Sequence, residues 1–103
     1  MANHRQTGGP YLAGVELGGT KCICVLADTS GAIFARERVA TGHPSETLSR
    51  IETVLHGWRR EHDIAAIGIA SFGPLDTDPA SANYGQLLAT PKPGWAGADL
   101  RRL

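Results

Sequence analysis

Gly14-Val15-Glu16-Leu17-Gly18-Gly19-Thr20-Lys21-Cys22-Ile23-Cys24-Val25-Leu26 is the stretch whose reading decides the fold of this chain. Two apolar runs, Tyr11 to Leu17 and Cys22 to Ala27, flank Gly18-Gly19. This pattern predicts two antiparallel strands joined by a tight two-residue turn centred on the glycines. Both central positions of such a turn need positive φ, which glycine adopts without a Cβ clash.

Glu16 stands near the end of the first strand, and Thr20 and Lys21 open the second. A carboxylate, a hydroxyl and an ammonium therefore project beside a glycine pair that bares backbone N–H groups. Converging amides form an anion-binding concavity, and a lysine adds a point charge suited to phosphate. A carboxylate so close would repel phosphate unless a cation stood between them; magnesium, held through water by one or two carboxylates and by phosphate oxygens, fills that role. On this reading the turn holds the phosphates of Mg-ATP. Gly-Gly followed by Thr-Lys also suits an ordinary hairpin, so the rest of the chain has to decide.

The chain has 103 residues, 42 % hydrophobic and 19 % charged, with ten basic residues balancing ten acidic ones. At this length about two-thirds of the unfolded surface can be buried, which describes one small domain or a piece of a larger one. A pI near 6.9 gives no electrostatic argument for nucleic acid or an anionic membrane as partner. No apolar run approaches the roughly 20 residues needed to cross a bilayer. Residues 1–10 lack the apolar core of a secretory signal and read as a disordered leader, so a cytoplasmic location is expected. Cys22 and Cys24, two apart on one strand, share a face and cannot bridge each other; they are expected as buried free thiols.

Downstream, Asp28-Thr29-Ser30-Gly31 signals a turn, and Ala32 to Ala40 reads as a third strand completing a meander, with Arg36 and Arg38 on a solvated edge face. Thr41 to Glu46 starts a helix, with His43 or Ser45 as cap and Pro44 in the first turn. Leu48, Ile51, Val54, Leu55 and Trp58 recur at helical spacing to about His62, and His56 and His62 are read as surface residues. Asp63 to Ser71 is almost wholly apolar without alternation, the composition of a strand covered on both faces.

Strand, helix and strand imply a right-handed crossover that lays the new strand parallel to Tyr11–Leu17. Its carboxyl end then brings Ser71-Phe72-Gly73-Pro74-Leu75-Asp76 beside Gly18-Gly19, where ligands of open α/β sheets gather. Thr90 to Trp95, with two prolines and a glycine, is a loop, and Ala96 to Leu103 reads as the start of a helix. An α/β layer must bury each apolar face. One helix leaves the last strand half-covered, so the chain is expected to be the N-terminal segment of a longer one.

Glu16-Leu17-Gly18-Gly19-Thr20-Lys21, Ser71-Phe72-Gly73-Pro74-Leu75-Asp76, Tyr84-Gly85 and Ala89-Thr90-Pro91-Lys92-Pro93-Gly94-Trp95, in this order, closely resemble the opening of bacterial fructokinases of the ROK (repressor, open reading frame, kinase) family. The likeness runs from about Tyr11 to the end. It implies an α/β, actin-like (ribonuclease-H-like) ATPase domain over residues 11–103, with Gly-Gly-Thr as the first phosphate loop. The family activity implied is transfer of the γ-phosphate of Mg-ATP to the 6-hydroxyl of fructose, with mannose accepted by some members.

By position, the resemblance gives Gly18, Gly19, Thr20 and Lys21 to phosphate and Glu16 to magnesium through water. It puts Ser71, Phe72, Gly73, Pro74 and Thr90 on the sugar side. Many relatives outside the fructokinase branch carry Asp at the position of Glu16. The same resemblance places the catalytic aspartate, a zinc-binding Cys/His cluster, a second phosphate loop and the adenosine pocket beyond Leu103, with a homodimeric parent. It gives Asp76, Asp78 and Asp99 no catalytic role, and the segment alone is expected to be inactive. Two other functions fit the same residues: a sugar-responsive regulator, for whose helix-turn-helix the ten residues before Tyr11 leave no room, and a non-catalytic remnant.

Overall fold

The computed structural model describes residues 10–103, so the leader expected over residues 1–10 lies outside the described residues apart from Pro10. Four strands, β1 (Tyr11–Leu17), β2 (Lys21–Asp28), β3 (Ile33–Ala40) and β4 (Ile64–Ser71), and one helix, α1 (Pro44–Glu61), carry the fold. The sheet order is β3-β2-β1-β4, with β1 antiparallel to β2, β2 antiparallel to β3, and β4 parallel to β1. The meander and the parallel return across α1 are both present as the sequence pattern requires. No described helix is long and apolar enough to cross a membrane.

Alternation along the strands sorts the sheet into two faces. Tyr11, Ala13, Val15 and Leu17 of β1 and Cys22, Cys24 and Leu26 of β2 are buried on one face. There they meet Leu48, Ile51 and Leu55 of α1, each worth roughly 1.5–3 kcal/mol when fully buried. Leu87, Trp95 and Leu100 from the C-terminal loops complete this core. The opposite face carries Leu12, Glu16, Ala66, Gly68 and Ala70, all exposed.

That exposure corrects one expectation. β4 has the composition of a strand covered on both faces, yet it is the sheet edge and only Ile64, Ile67 and Ile69 pack against the core. Among the described residues one helix and the C-terminal loops supply a single layer of cover, so the other side of β4 stays open.

α1 starts on His43, whose ring accepts from the Ser45 amide, with Pro44 in the first turn and the buried Thr47 hydroxyl accepting from the Gly42 amide at 2.9 Å. The capping residue is thus His43 rather than Ser45. His62 ends the helix, and it is not the plain surface residue the pattern suggested. It is half-buried, its ring lies edge-on to Tyr11 at 4.7 Å, and its Nδ1 is shut from solvent with no hydrogen-bond partner among the described residues.

The helix expected from Ala96 does not form; a single 3₁₀ turn spans Leu100–Arg102, capped by Asp99. Gly97 has φ +86°, a left-handed conformation that breaks a helix. The backbone pairs instead with an earlier loop: Gly97 donates to the Leu87 carbonyl, Leu87 to Ala98, and Leu100 to Gly85. Arg102 fastens this end to α1 through a bidentate pair with Glu52, both bonds 3.0 Å.

Candidate functional site

The β1–β2 turn is closed by the Gly18 amide donating to the Lys21 carbonyl at 3.0 Å. Leu17 pairs with Cys22, so Gly19 and Thr20 are the two central residues, one position further on than the glycine pair suggested. Neither Gly18 nor Gly19 adopts positive φ, so left-handed conformation is not why glycine stands there. The reason at Gly18 is close approach: a Cβ would sit 2.6 Å from the Lys21 carbonyl oxygen. At Gly19 a Cβ would meet nothing within 4 Å, which leaves open space beside the turn.

Three successive carbonyls of this turn are held by donors. The Thr41 hydroxyl donates to Gly18 O at 2.7 Å, Lys92 Nζ to Gly19 O at 2.8 Å, and the Thr41 amide to Thr20 O at 2.9 Å. In a trans peptide the C=O of one residue and the N–H of the next point in opposite directions. Fixing the Gly18 and Gly19 carbonyls therefore aims the Gly19 and Thr20 amides away from Thr41 and Lys92. Those two amides donate to no described group. Paired outward N–H groups of this kind form an anion cradle, and here their orientation is set by bonds on the other side of each peptide.

Glu16 and Lys21 are exposed and, by alternation against the buried Val15, Leu17 and Cys22, stand on the open sheet face. Among the described residues neither forms an ion pair. An open cleft of about 270 Å³ runs along the strand ends, lined by Glu16, Leu17, Gly18, Ala70, Ser71 and Phe72. A second, of about 520 Å³, continues over the open face and also includes Glu16, together with Ile23, Arg36 and Gly68. Glu16 thus stands where the two clefts meet, and a lone carboxylate there could hold a divalent ion through water, whereas Gly19, Thr20 and Lys21 line neither cleft. Among the described residues no group of three His, Cys, Asp or Glu could hold a metal ion, so none of them is assigned to zinc.

The expected meeting of β4 with the turn is present: the Phe72 amide donates to the Leu17 carbonyl at 3.1 Å, on the same rim as Gly18. Ser71 turns its hydroxyl onto the Phe72 carbonyl at 2.7 Å, and the Phe72 ring packs edge-on against Trp95 at 5.3 Å. Gly73 and Pro74 follow, joined by a cis peptide, and the Pro74 carbonyl accepts from the Leu88 amide. Thr90 accepts from the Lys92 amide at 3.3 Å and so reaches the turn only through that lysine.

Trp95 is fully buried and donates from Nε1 to the Gly42 carbonyl at 2.9 Å, anchoring the Thr90–Trp95 loop next to Thr41. Lys92 is the residue that sequence reasoning missed. It lies 73 positions from Gly19, and only the anchored loop brings it there.

The aspartates outside this site have structural work. Asp76 accepts from the Ser81 hydroxyl and the Asp78 amide, which hold its carboxyl below the usual range. Asp78 accepts from Ala80, and Asp99 caps the 3₁₀ turn and pairs with Arg101. Cys22 and Cys24 are free, buried thiols, and burial pushes Cys24 up to about 11.

Comparison with known proteins gives the family and the fold. The ROK family model matches residues 12–103. The chain is 40 % identical over 85 residues to a fructokinase of Streptococcus mutans, covering 82 % of this chain and 28 % of that protein. It is 41 % identical over 88 residues to a fructokinase of Zymomonas mobilis, covering 84 % and 29 % respectively.

Among solved structures, a ROK family glucokinase from Streptomyces griseus in complex with glucose and AMPPNP superposes with a TM-score of 0.71 at 26 % identity. That match covers 90 % of this chain and 28 % of the glucokinase, so the chain spans under a third of the length of each of these proteins. The mixed four-stranded sheet with its crossover helix is thus part of an actin-like, ribonuclease-H-like ATPase fold, an incomplete domain, as the resemblance implied. With the family model matching nearly all of the described residues, the chain belongs to the ROK family.

Proposed function

We propose that this chain supplies the first phosphate-binding turn of an ATP-dependent hexose kinase that transfers the γ-phosphate of Mg-ATP to the 6-hydroxyl of fructose. Residues 11–103 form part of its kinase domain. The observation that carries the reading is the pair of outward, unpartnered amides at Gly19 and Thr20 with the unpaired Glu16 carboxylate on the same rim.

In this reading the Gly19 and Thr20 amides and the Thr20 hydroxyl bind phosphate oxygens, and Lys21 supplies positive charge. Gly18 lets the strands close tightly enough to form the cradle. Glu16 would hold magnesium through water, and the ion would supply positive charge to the phosphates. Ser71, Phe72, Gly73, Pro74 and Thr90 line the sugar side of the cleft. Positioning and charge neutralisation are what phosphoryl transfer requires of these residues, and none of them is assigned the role of base.

The fructokinase relatives support fructose as acceptor, and the neighbour bound to AMPPNP supports ATP as donor. A cytoplasmic homodimer completes the proposal. The test is ATP-dependent phosphorylation of fructose, glucose and mannose by the complete protein, compared side by side. Fructose turning over with the highest kcat/KM supports the reading, and failure to phosphorylate any of the three contradicts it.

A further inference from the structure

Lys92 deepens the reading of the phosphate turn and rests on it. Its ammonium donates to the Gly19 carbonyl at 2.8 Å from a loop that is fixed at both ends of a short span. Thr90 accepts from the Lys92 amide, Trp95 donates its own amide to the Lys92 carbonyl at 3.3 Å, and the buried Trp95 ring is hydrogen-bonded to Gly42. Gly42 follows Thr41, the residue that ties down the carbonyls on either side of Gly19. Lys92 therefore closes a three-point clamp, in which Thr41 holds Gly18 O and Thr20 O and Lys92 holds Gly19 O.

We infer that Lys92 is a positioning residue: by holding the Gly19 carbonyl it sets the Gly19–Thr20 peptide so that the Thr20 amide faces the phosphate. Two physical effects follow. Peptide planarity makes the carbonyl contact decide where the Thr20 N–H points. A charged donor on a carbonyl also polarises the peptide and strengthens its N–H as a donor, as bonds in a chain reinforce one another.

Neither Thr41 bond can replace it. With Gly19 O released, a residue without Cβ is free to rotate that peptide, and the cradle loses one of its two outward amides.

The test compares Lys92→Met and Lys92→Arg in the complete protein, reading the Kd for Mg-AMPPNP by calorimetry, the Kd for sugar, and Tm. Lys92→Met is expected to weaken Mg-AMPPNP binding by about tenfold, the usual loss for one charge-assisted hydrogen bond, with Tm and sugar Kd unchanged. Lys92→Arg, which keeps a charged donor, is expected to recover most of that affinity.

Nucleotide binding unchanged in Lys92→Met, or loss matched by a falling Tm and not recovered by Lys92→Arg, overturns the inference. Lys21→Ala separates this from the parent reading. If it weakens Mg-AMPPNP while Lys92→Met does not, only the role of Lys92 fails. If neither variant affects binding, the phosphate assignment of the turn fails with it.

Discussion

Gly18→Ala and Gly19→Ala separate the two reasons a glycine pair stands in the turn. A Cβ on residue 18 would lie 2.6 Å from the Lys21 carbonyl oxygen, where backbone rather than a flexible side chain has to yield. That oxygen accepts the Gly18 amide at 3.0 Å, and Thr41 pins the carbonyls of Gly18 and Thr20 from behind, so the turn cannot open freely. Overpacking of this kind costs about 1–3 kcal/mol, and the reduced entropy of the unfolded chain offsets about 0.4–1 kcal/mol of it.

Gly19→Ala meets nothing within 4 Å and needs no left-handed conformation, so the entropic gain stands alone and the variant should match or slightly exceed wild type. Urea unfolding of the complete protein, with midpoints compared at constant m, reads both. Function should invert the order. The added methyl of Gly19→Ala enters the space assigned to phosphate and is expected to weaken Mg-AMPPNP by about tenfold, or about 1.4 kcal/mol. Gly18→Ala as stable as wild type, or Gly19→Ala the less stable of the two, would refute the close-approach argument.

Trp95→Ala empties a fully buried site and removes the bond to Gly42, so a loss of about 3–5 kcal/mol is expected, together with weaker nucleotide binding through the freed Lys92 loop. A loss below 1 kcal/mol in denaturant titration would show that the loop is not anchored there. Glu52 is held below its ordinary value of 4.5, first by its hydrogen bond from Arg102. A depressed folded value means that the stabilisation is present above 4.5 and is lost as pH falls through the lower folded value. Glu52→Gln should therefore flatten the acid-side decline of Tm, and an unchanged slope would count against the pair.

The strands and the helix were legible because their signals are local. Apolar runs broken by Gly18-Gly19 and by Asp28-Thr29-Ser30-Gly31 mark the meander, and the spacing of Leu48, Ile51 and Leu55 marks α1. The meeting of β4 with the turn followed from topology, since a parallel return places both carboxyl ends on one rim.

What was misread depends on partners distant in sequence. The turn sits one residue further on and has no positive-φ glycine, and its carbonyls are held by Thr41 and Lys92, contacts no local pattern encodes. Ala96 to Leu103 looked helical by composition, but Gly97 and pairing with residues 85–87 took it elsewhere. His62 became half-buried because Tyr11 sits across from the end of α1. Of the candidate site, Glu16, Gly18, Ser71 and Phe72 line one cleft.

The most direct measurement is a crystal structure of the complete protein with Mg-AMPPNP. The account predicts phosphate oxygens within hydrogen-bonding distance, about 2.7–3.2 Å, of the Gly19 and Thr20 amides, with Glu16 facing the magnesium across water. Phosphates bound with both amides facing empty solvent would contradict it.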